Sequence, residues 1–310
     1  MDFRELNYVL AIAKHQNITK AAEALYVSQP TLSKFLISLE SELGLKLFRK
    51  LGHKYVLTYA GERYVEYASR MQRLKTDLDV ELADILKRDV GVLNLAFARM
   101  RCTYMLPKTL PVFRAMHPNV KVNIFEGSSD ENDRRLLDGQ VELAFYSKPA
   151  DLNAQLEYET LDREELLICT AKDHPIGRFA QSAAGERYPL LDPALLQNEQ
   201  ILLMQPEQRT RQITDNLFGE LGLKFSNVLC TGNLPALMEL TALGYGISFV
   251  FEPHLRHRAG TLPIDCYSFA TGRVVSDFVA AYRRGAYLPG YARDYIDLIR
   301  RLHNDGPAEE

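Results

Sequence analysis

The sequence predicts an α/β protein with a small all-helical module at its N-terminus, and three observations lead there. Residues 1–58 carry helix-period apolar positions interrupted by capping and turn residues. Residues 59–89 read as one long charged helix with a seven-residue apolar repeat. From Val92 onward, β-branched runs alternate with amphipathic stretches, the pattern of strands and helices in an α/β domain. A chain of 310 residues is long enough for two or three domains with substantial cores.

The first helix is expected over residues 2–15, with Phe3, Leu6, Leu10 and Ala13 facing inward. Thr19 is the expected N-cap of a short second helix, whose Ala21, Ala22 and Ala24 let another helix approach closely. Tyr26-Val27 makes the turn. Ser28 caps a third helix with Gln29 and Pro30 in its first turn, where proline loses no hydrogen bond. Leu32, Leu36, Leu39 and Leu43 recur at helical spacing, and Gly44 ends the helix. Gln29, Thr31, Ser33 and Lys34 are left on the outer face near the helix start, the end that a recognition helix presents to base edges in the major groove. Leu47-Phe48 leads into Arg49-Lys50, a turn at Gly52-His53-Lys54 and a strand Tyr55-Val56-Leu57, together a hairpin wing whose cations suit phosphates. Spacing alone also admits an ordinary helical hairpin with solvated charges in its turn.

Charge supports the first reading. The chain has a net charge of −3, yet residues 1–60 hold eight basic side chains (Arg4, Lys14, Lys20, Lys34, Lys46, Arg49, Lys50, Lys54) against five acidic ones (Asp2, Glu5, Glu23, Glu40, Glu42). A cationic module on an acidic body suits a DNA reader that must not coat DNA indiscriminately.

Thr58 is expected to cap a helix running to about Arg88, roughly 45 Å at ~1.5 Å per residue. Along it Tyr64, Met71, Leu78 and Ile85 repeat every seven residues, with Tyr67 and Leu74 in the other half of the seam. Such a stripe asks for a helical partner, either a second copy or the body of its own chain. Beyond it, strands are expected at Val92–Ala98, Val120–Glu126, Leu143–Ser147, Leu166–Thr170, Ile201–Met204, Ser226–Cys230, Ile247–Phe251, Tyr267–Phe269 and Phe278–Tyr282. Helices are expected at Pro107–Met116, Glu131–Asp138, Arg209–Leu221, Leu234–Leu243 and Tyr291–His303.

The run AA-x-x-L-x-V-S-Q-P-T-L-S-K from Ala21 to Lys34, followed by L-E-x-E-L-G-x-x-L-F from Leu39 to Phe48, resembles the DNA-binding domain of LysR-type transcriptional regulators. The resemblance continues more weakly after residue 90. It implies a winged helix-turn-helix over 1–58, a linker helix over 59–89 that pairs antiparallel with its twin, and a two-lobed effector domain over 90–310 like that of periplasmic binding proteins. Lobe 1 would span about 90–161 and 268–305, and lobe 2 about 162–267, with crossings near Leu161-Asp162 and Tyr267–Phe269. The implied partners are double-stranded promoter DNA, a second copy in a dimer or tetramer, a small-molecule effector and RNA polymerase. No cofactor or membrane is implied. The expected DNA contacts are Ser28, Gln29, Pro30, Thr31, Ser33, Lys34, Arg49, Lys50 and Lys54. Position 37, basic in many members, is Ile37 here beside apolar Phe35, which favours thymine-methyl contacts.

Ligands of open α/β sheets bind beyond the carboxyl ends of strands. That rule gathers Arg99, Met100 and Arg101, Gly127-Ser128, Ser147-Lys148, Gln205 to Arg209, and Thr231-Gly232-Asn233; of these, Ser128, Ser147, Gln205, Arg209, Thr231 and Asn233 join the three-residue Arg-Met-Arg run as expected effector contacts. The family often has serine or threonine after the first strand of this domain. The arginines found there instead point to an anionic effector such as a carboxylate, with Arg99 as its first charge partner. The same arginines also suit a bridge between lobes.

Other motifs lead nowhere. Gly244-Tyr245-Gly246 follows a helix and precedes a strand, the reverse of a dinucleotide fingerprint. His254-x-x-His257 lacks a third ligand at zinc-like spacing and reads as a surface loop. No Gly-x-Ser-x-Gly elbow or phosphate-cradling Gly-Lys-Ser/Thr loop occurs, so no catalysis is expected. The alternative is a metabolite-binding α/β protein or enzyme whose N-terminal helices merely dimerise it. Cys102, Cys169, Cys230 and Cys266 are widely spaced and suit inert thiols in a reduced compartment, with a redox pair as the alternative. With no long apolar run and a polar opening MDFRELN, a cytoplasmic protein is expected.

Overall fold

The computed structural model describes residues 3–52, 54–86, 90–256 and 262–304. The chain forms two compact units, residues 1–87 and 88–310, and each is taken by itself.

The first unit contains α1 (Phe3–His15), α2 (Ile18–Ala24), α3 (Gln29–Leu43), the hairpin β1 (Phe48–Leu51) and β2 (Lys54–Leu57), and α4 (Tyr59–Ile85). Its core is built from Val9, Ile12, Ile18, Ala21, Ala22, Leu32, Leu36, Leu39, Leu47 and Phe48. Several local expectations change. The buried stripe of α1 is Leu6, Val9 and Ile12, while Phe3 is exposed, because the core lies one residue round the helix from the predicted face. Asn17, not Thr19, caps α2: its Oδ1 accepts from the Thr19 and Lys20 amides at 2.9 and 3.1 Å. Ala24 and Leu43 are exposed, each sitting in the last turn of its helix past the core contact. Gly44 ends α3 at φ 67°, the left-handed cap that glycine adopts without a Cβ clash. Thr58 caps α4, accepting the Gly61 amide at 3.0 Å. Gly61 itself is obligatory, since a Cβ there would lie 2.0 Å from the Leu47 carbonyl oxygen. Helix α4 is described to Ile85; His53, residues 87–89 and the Ile85 side chain lie outside the described residues.

The second unit is built on a mixed sheet in the order β4-β3-β5-β12-β6-β10-β8-β9, with β11 and β7 branching from β6. These strands are β3 (Gly91–Ala98), β4 (Val120–Gly127), β5 (Leu143–Ser147), β6 (Leu156–Ala171), β7 (Leu190–Leu191), β8 (Ile201–Met204), β9 (Val228–Thr231), β10 (Ile247–Phe251), β11 (Ile264–Phe269) and β12 (Val274–Arg283). Pairings β3–β4, β3–β5, β8–β9 and β8–β10 are parallel; the long strands β6 and β12 run antiparallel between the two parallel halves. Helices α5 (Arg99–Met116), α6 (Ser129–Leu137), α7 (Arg209–Glu220), α8 (Leu234–Ala242), α9 (Glu252–Arg256) and α10 (Gly290–Asn304) cover the faces. One half packs around Leu95, Phe97, Phe113, Phe145 and Tyr295, the other around Ile168, Leu203, Phe218, Phe249 and Phe269.

The strand expected at Leu166–Thr170 is thus the end of a sixteen-residue strand. Charged residues such as Glu159, Arg163 and Glu164 mask its earlier part, because Arg300, Asp277 and Arg101 pair with them. Its ladder with β12 skips at Leu161, where Phe278 pairs Asp162 and Val279 pairs Thr160. The expected return near Tyr267–Phe269 falls later: Tyr267 and Phe269 still pack in the second half, and the chain goes back through β12. Helix α5 starts eight residues before the expected Pro107; Pro107 and Pro111 lie inside it, held by buried Arg101, Cys102, Met105 and Phe113.

Candidate functional site

The outer face of α3 is made by its cap. Ser28 Oγ accepts the Thr31 amide at 3.3 Å and lies 2.8 Å from Thr31 Oγ1, so the helix begins with two coupled hydroxyls. Gln29, Pro30, Thr31 and Lys34 are exposed and Ser33 is half-buried. Ile37 projects outward, 61% exposed. Phe35 does not: its ring packs edge-on against Tyr8 at 5.0 Å, so it belongs to the core rather than to the outer face.

Beside this face stands the wing. Arg49 pairs Val56, Lys50 pairs Tyr55 and Leu51 pairs Lys54, leaving Arg49, Lys50 and Lys54 exposed on one short ribbon. Two anchors hold it. The Tyr55 amide donates to the Gln16 carbonyl at 2.9 Å. The second is Glu40, an almost fully buried carboxylate on α3 that accepts the Leu47 and Phe48 amides at 2.9 and 3.1 Å and the Lys46 ammonium at 2.7 Å. Glu40 therefore ties α3 to the first wing strand.

In the second unit, β3, β4, β5, β8 and β9 end around one cavity of about 350 Å³, lined by Arg99 to Arg101, Gly127 to Ser129, Glu131, Ser147, Met204, Glu207 to Thr210, Gly232, Leu234 and His254. The residues Arg99, Met100 and Arg101, expected in a loop, are the first turn of α5. Its N-cap is Ala98, which has no side chain to satisfy the leading amides. Helix α7 also opens on this cavity without a side-chain cap, at Gln208. In contrast, α6 carries a full capping box, in which Ser128 accepts the Glu131 amide and Glu131 accepts the Ser128 amide at 2.7 Å. Those hydrogen bonds hold the Glu131 carboxyl below its usual range, chiefly through the Ser128 amide.

The three arginines differ. Arg101 is fully buried and makes two 2.6 Å contacts with Glu164, one of 3.0 Å with Ser147 and one of 3.1 Å with Tyr104, and lies 4.0 Å above the Phe278 ring. Burial opposes its charge, but Glu164 outweighs that and its pKa rises above the usual value. It bridges α5 to β6 at the cavity wall, the second of the two roles its sequence position suits. Arg99 is 69% exposed and 3.9 Å from Glu131, so its charge is already shared. Arg209 is half-buried, donates to the Lys148 carbonyl at 3.1 Å and to Gln212 at 2.9 Å, and has no carboxylate at ion-pair distance among the described residues. Burial lowers its pKa, and the negative charges of Asp130 and Asp151 only partly oppose that shift.

Residues 3–62 match the family model "Bacterial regulatory helix-turn-helix protein, lysR family", and residues 87–303 match "LysR substrate binding domain". The chain belongs to the LysR family. It is 26% identical to the hydrogen peroxide-inducible genes activator of Pectobacterium carotovorum subsp. carotovorum, over 100% of this chain and 99% of that protein. It is also 26% identical to a probable RuBisCO transcriptional regulator of Trieres chinensis, over 80% of this chain and 79% of that one. In fold it is similar to a full-length OxyR variant from Pseudomonas aeruginosa (TM-score 0.72, 22% identity, covering 97% of this chain and 98% of that one). It is likewise similar to full-length CbnR solved with its target DNA (TM-score 0.60, 23% identity, 97% and 99%). This LysR protein is accordingly a transcriptional regulator and not an enzyme.

Of the nine expected effector residues in this regulator, Arg99, Met100, Arg101, Ser128, Ser147 and Arg209 line the cavity. Gln205, Thr231 and Asn233 do not. Asn233 caps α8 through the Ala236 amide, Thr231 accepts the Asn233 amide, and the Gln205 amide donates to Gln208. His254 is no surface loop; it lies in α9, packs edge-on against Tyr104 at 5.5 Å and reaches the cavity, while His257 lies outside the described residues. Among the described residues no cluster of His, Cys, Asp and Glu could hold a metal, and no helix is long and apolar enough to cross a membrane. Sequence reasoning missed Glu40, Glu164 and Thr210. Glu40 sits within the quoted L-E-x-E-L-G run, where an acidic residue at a core-facing helical position was the available signal.

Proposed function

We propose that this LysR regulator reads promoter DNA with α3 and the wing, dimerises through α4, and is controlled by a small carboxylate bound in the cavity of its second unit. The observation that carries the ligand class is the convergence of two uncapped helix starts, α5 and α7, on one cavity beside Arg209. Free amides at a helix start favour an anion, and a guanidinium pairs with carboxylate in a fork. Met100, Met204 and Leu234 supply an apolar wall for the rest of the molecule. Relatives are named for hydrogen peroxide response and for RuBisCO control, so their names favour no single effector.

Support for self-association comes from α4. Tyr64 and Ala68 pack into the first unit's own core, but Tyr67, Met71, Leu74, Leu78 and Leu82 stay exposed at helical spacing. A long apolar stripe of this kind suits a second copy of the same helix.

Calorimetric titration of organic carboxylates into wild type and Arg209→Gln tests the ligand class. For a true effector, Arg209→Gln weakens binding roughly 10- to 100-fold, the equivalent of ~1.5–3 kcal/mol for hydrogen bonds to a charged group. Equal affinity in the variant, or an effector that proves cationic or wholly apolar, overturns it.

A further inference from the structure

Cys169 and Cys266 face each other across β6 and β11, as direct partners in an antiparallel ladder. The Lys172 amide donates to the Pro263 carbonyl at 2.9 Å, and these two residues continue the same register. Residue pairs alternate between bonded and open along such a ladder, so Lys172–Pro263 is bonded, Ala171–Ile264 open, Thr170–Asp265 bonded and Cys169–Cys266 open. Open pairs bring Cα atoms to about 4.5 Å with side chains on one side of the sheet. That lies at the short end of the roughly 4.4–6.8 Å over which a disulfide closes. Both thiols pack on the same face, in the cluster containing Leu167, Met238 and Leu255.

The two thiols are unequal. Cys169 is completely buried, whereas Cys266 is only partly covered. A hydrogen bond from Cys169 holds the Cys266 thiol below its usual range, and burial pushes Cys169 well above. The accessible sulfur is therefore the better thiolate, and the buried one keeps its proton until it is needed. Neither lines the ligand cavity.

We propose that Cys169 and Cys266 are a reversible dithiol–disulfide pair, a two-electron redox site separate from the effector cavity. The oxidant is a low-molecular-weight disulfide. The Cys266 thiolate attacks one of its sulfurs, forming a mixed disulfide and expelling one thiolate, which takes up the proton Cys266 had released. Cys169 then loses its proton, and its sulfur attacks Cys266 Sγ. The mixed bond breaks, and the second small thiolate leaves with the Cys169 proton. One small disulfide is reduced to two thiols while two protein thiols are oxidised to one disulfide.

The test incubates full-length protein in graded mixtures of reduced and oxidised glutathione, unfolds and alkylates it, and maps cysteines by peptide mass spectrometry. A Cys169–Cys266 cross-linked peptide that disappears on return to reduced glutathione is the expected result. Exposed Cys230 reports internally that the oxidant has reacted, by carrying a glutathione adduct. Alkylated Cys169 and Cys266 beside a modified Cys230 would overturn the proposal, as would either thiol linking to another cysteine. In Cys266→Ser, Cys169 stays reduced throughout; its oxidation there would show that Cys266 is not the attacking sulfur.

Discussion

Gln29, a neutral amide, and Arg49, a cation, are both exposed on the helix-turn-helix module, in different settings. Gln29 stands in the first turn of α3, beside the Ser28–Thr31 pair, where the proposed reading sets it against base edges. Arg49 stands on a two-stranded ribbon, where the proposed reading sets it against phosphates, which are the same for every sequence. Arg49→Ala is expected to weaken binding to all duplexes alike and to lower the salt slope by about one unit. Gln29→Ala is expected to relax preference at one or two base pairs while leaving that slope in place. Binding measured across salt concentrations on a substituted operator series separates the two, and a uniform loss in both variants would assign them the same role. Ile37 leaves an apolar side chain exposed on the same face, whereas Phe35 is turned against Tyr8.

At the scale of elements, α4 has two halves with different fates. Its first half packs on α1: Gln72 donates to Asn7 at 2.7 Å, and Ala68 is fully buried. Further on, Leu74 and Leu78 are 68% and 53% exposed, so they contribute nothing to the unit's own core. Leu78→Asp should therefore leave folding of the monomer nearly unchanged, because exposed substitutions usually fall within about 0.5 kcal/mol. In an assembled helix pair the same aspartate meets apolar neighbours without a partner, at a cost of several kcal/mol. Sedimentation should show monomer, and tight operator binding should fall with it, since one recognition helix covers only half a site. A variant that folds and stays dimeric would place the dimer contact elsewhere.

Across the second unit as a whole, Arg101 and Glu164 join the start of α5 to the long strand β6, with Ser147 at the end of β5 in the same network. Arg101→Met strands a fully buried carboxylate, and the expected loss is ~3–5 kcal/mol in denaturant unfolding. Adding Glu164→Gln removes that charge, so the double variant should recover much of the stability. Simple additivity of the two losses would show that the pair is not coupled. Arg101 lines the cavity with its charge paired by Glu164, whereas Arg209 lines it with no carboxylate at ion-pair distance among the described residues.

Much of this protein is legible along the chain because the deciding interactions are local. Ser28, Pro30 and Gly44 delimit α3 within a few residues of one another, Thr58 starts α4, and the strand ends that surround the cavity follow from β-branched runs and turn residues. The same locality makes the LysR pattern from Ala21 to Phe48 readable at all. What only the tertiary structure decides are partnerships between residues far apart in sequence. The charge of Arg101 is spent on Glu164, sixty-three residues away, and Cys169 meets Cys266 through strand register. Glu40 disappears into the wing backbone, and Asn233 and Ser128 turn to capping their helices. An ionised or polar side chain looks the same in sequence whether it faces a ligand or a buried partner. Only the packed fold, in which water is gone and each such group must be paired, determines which.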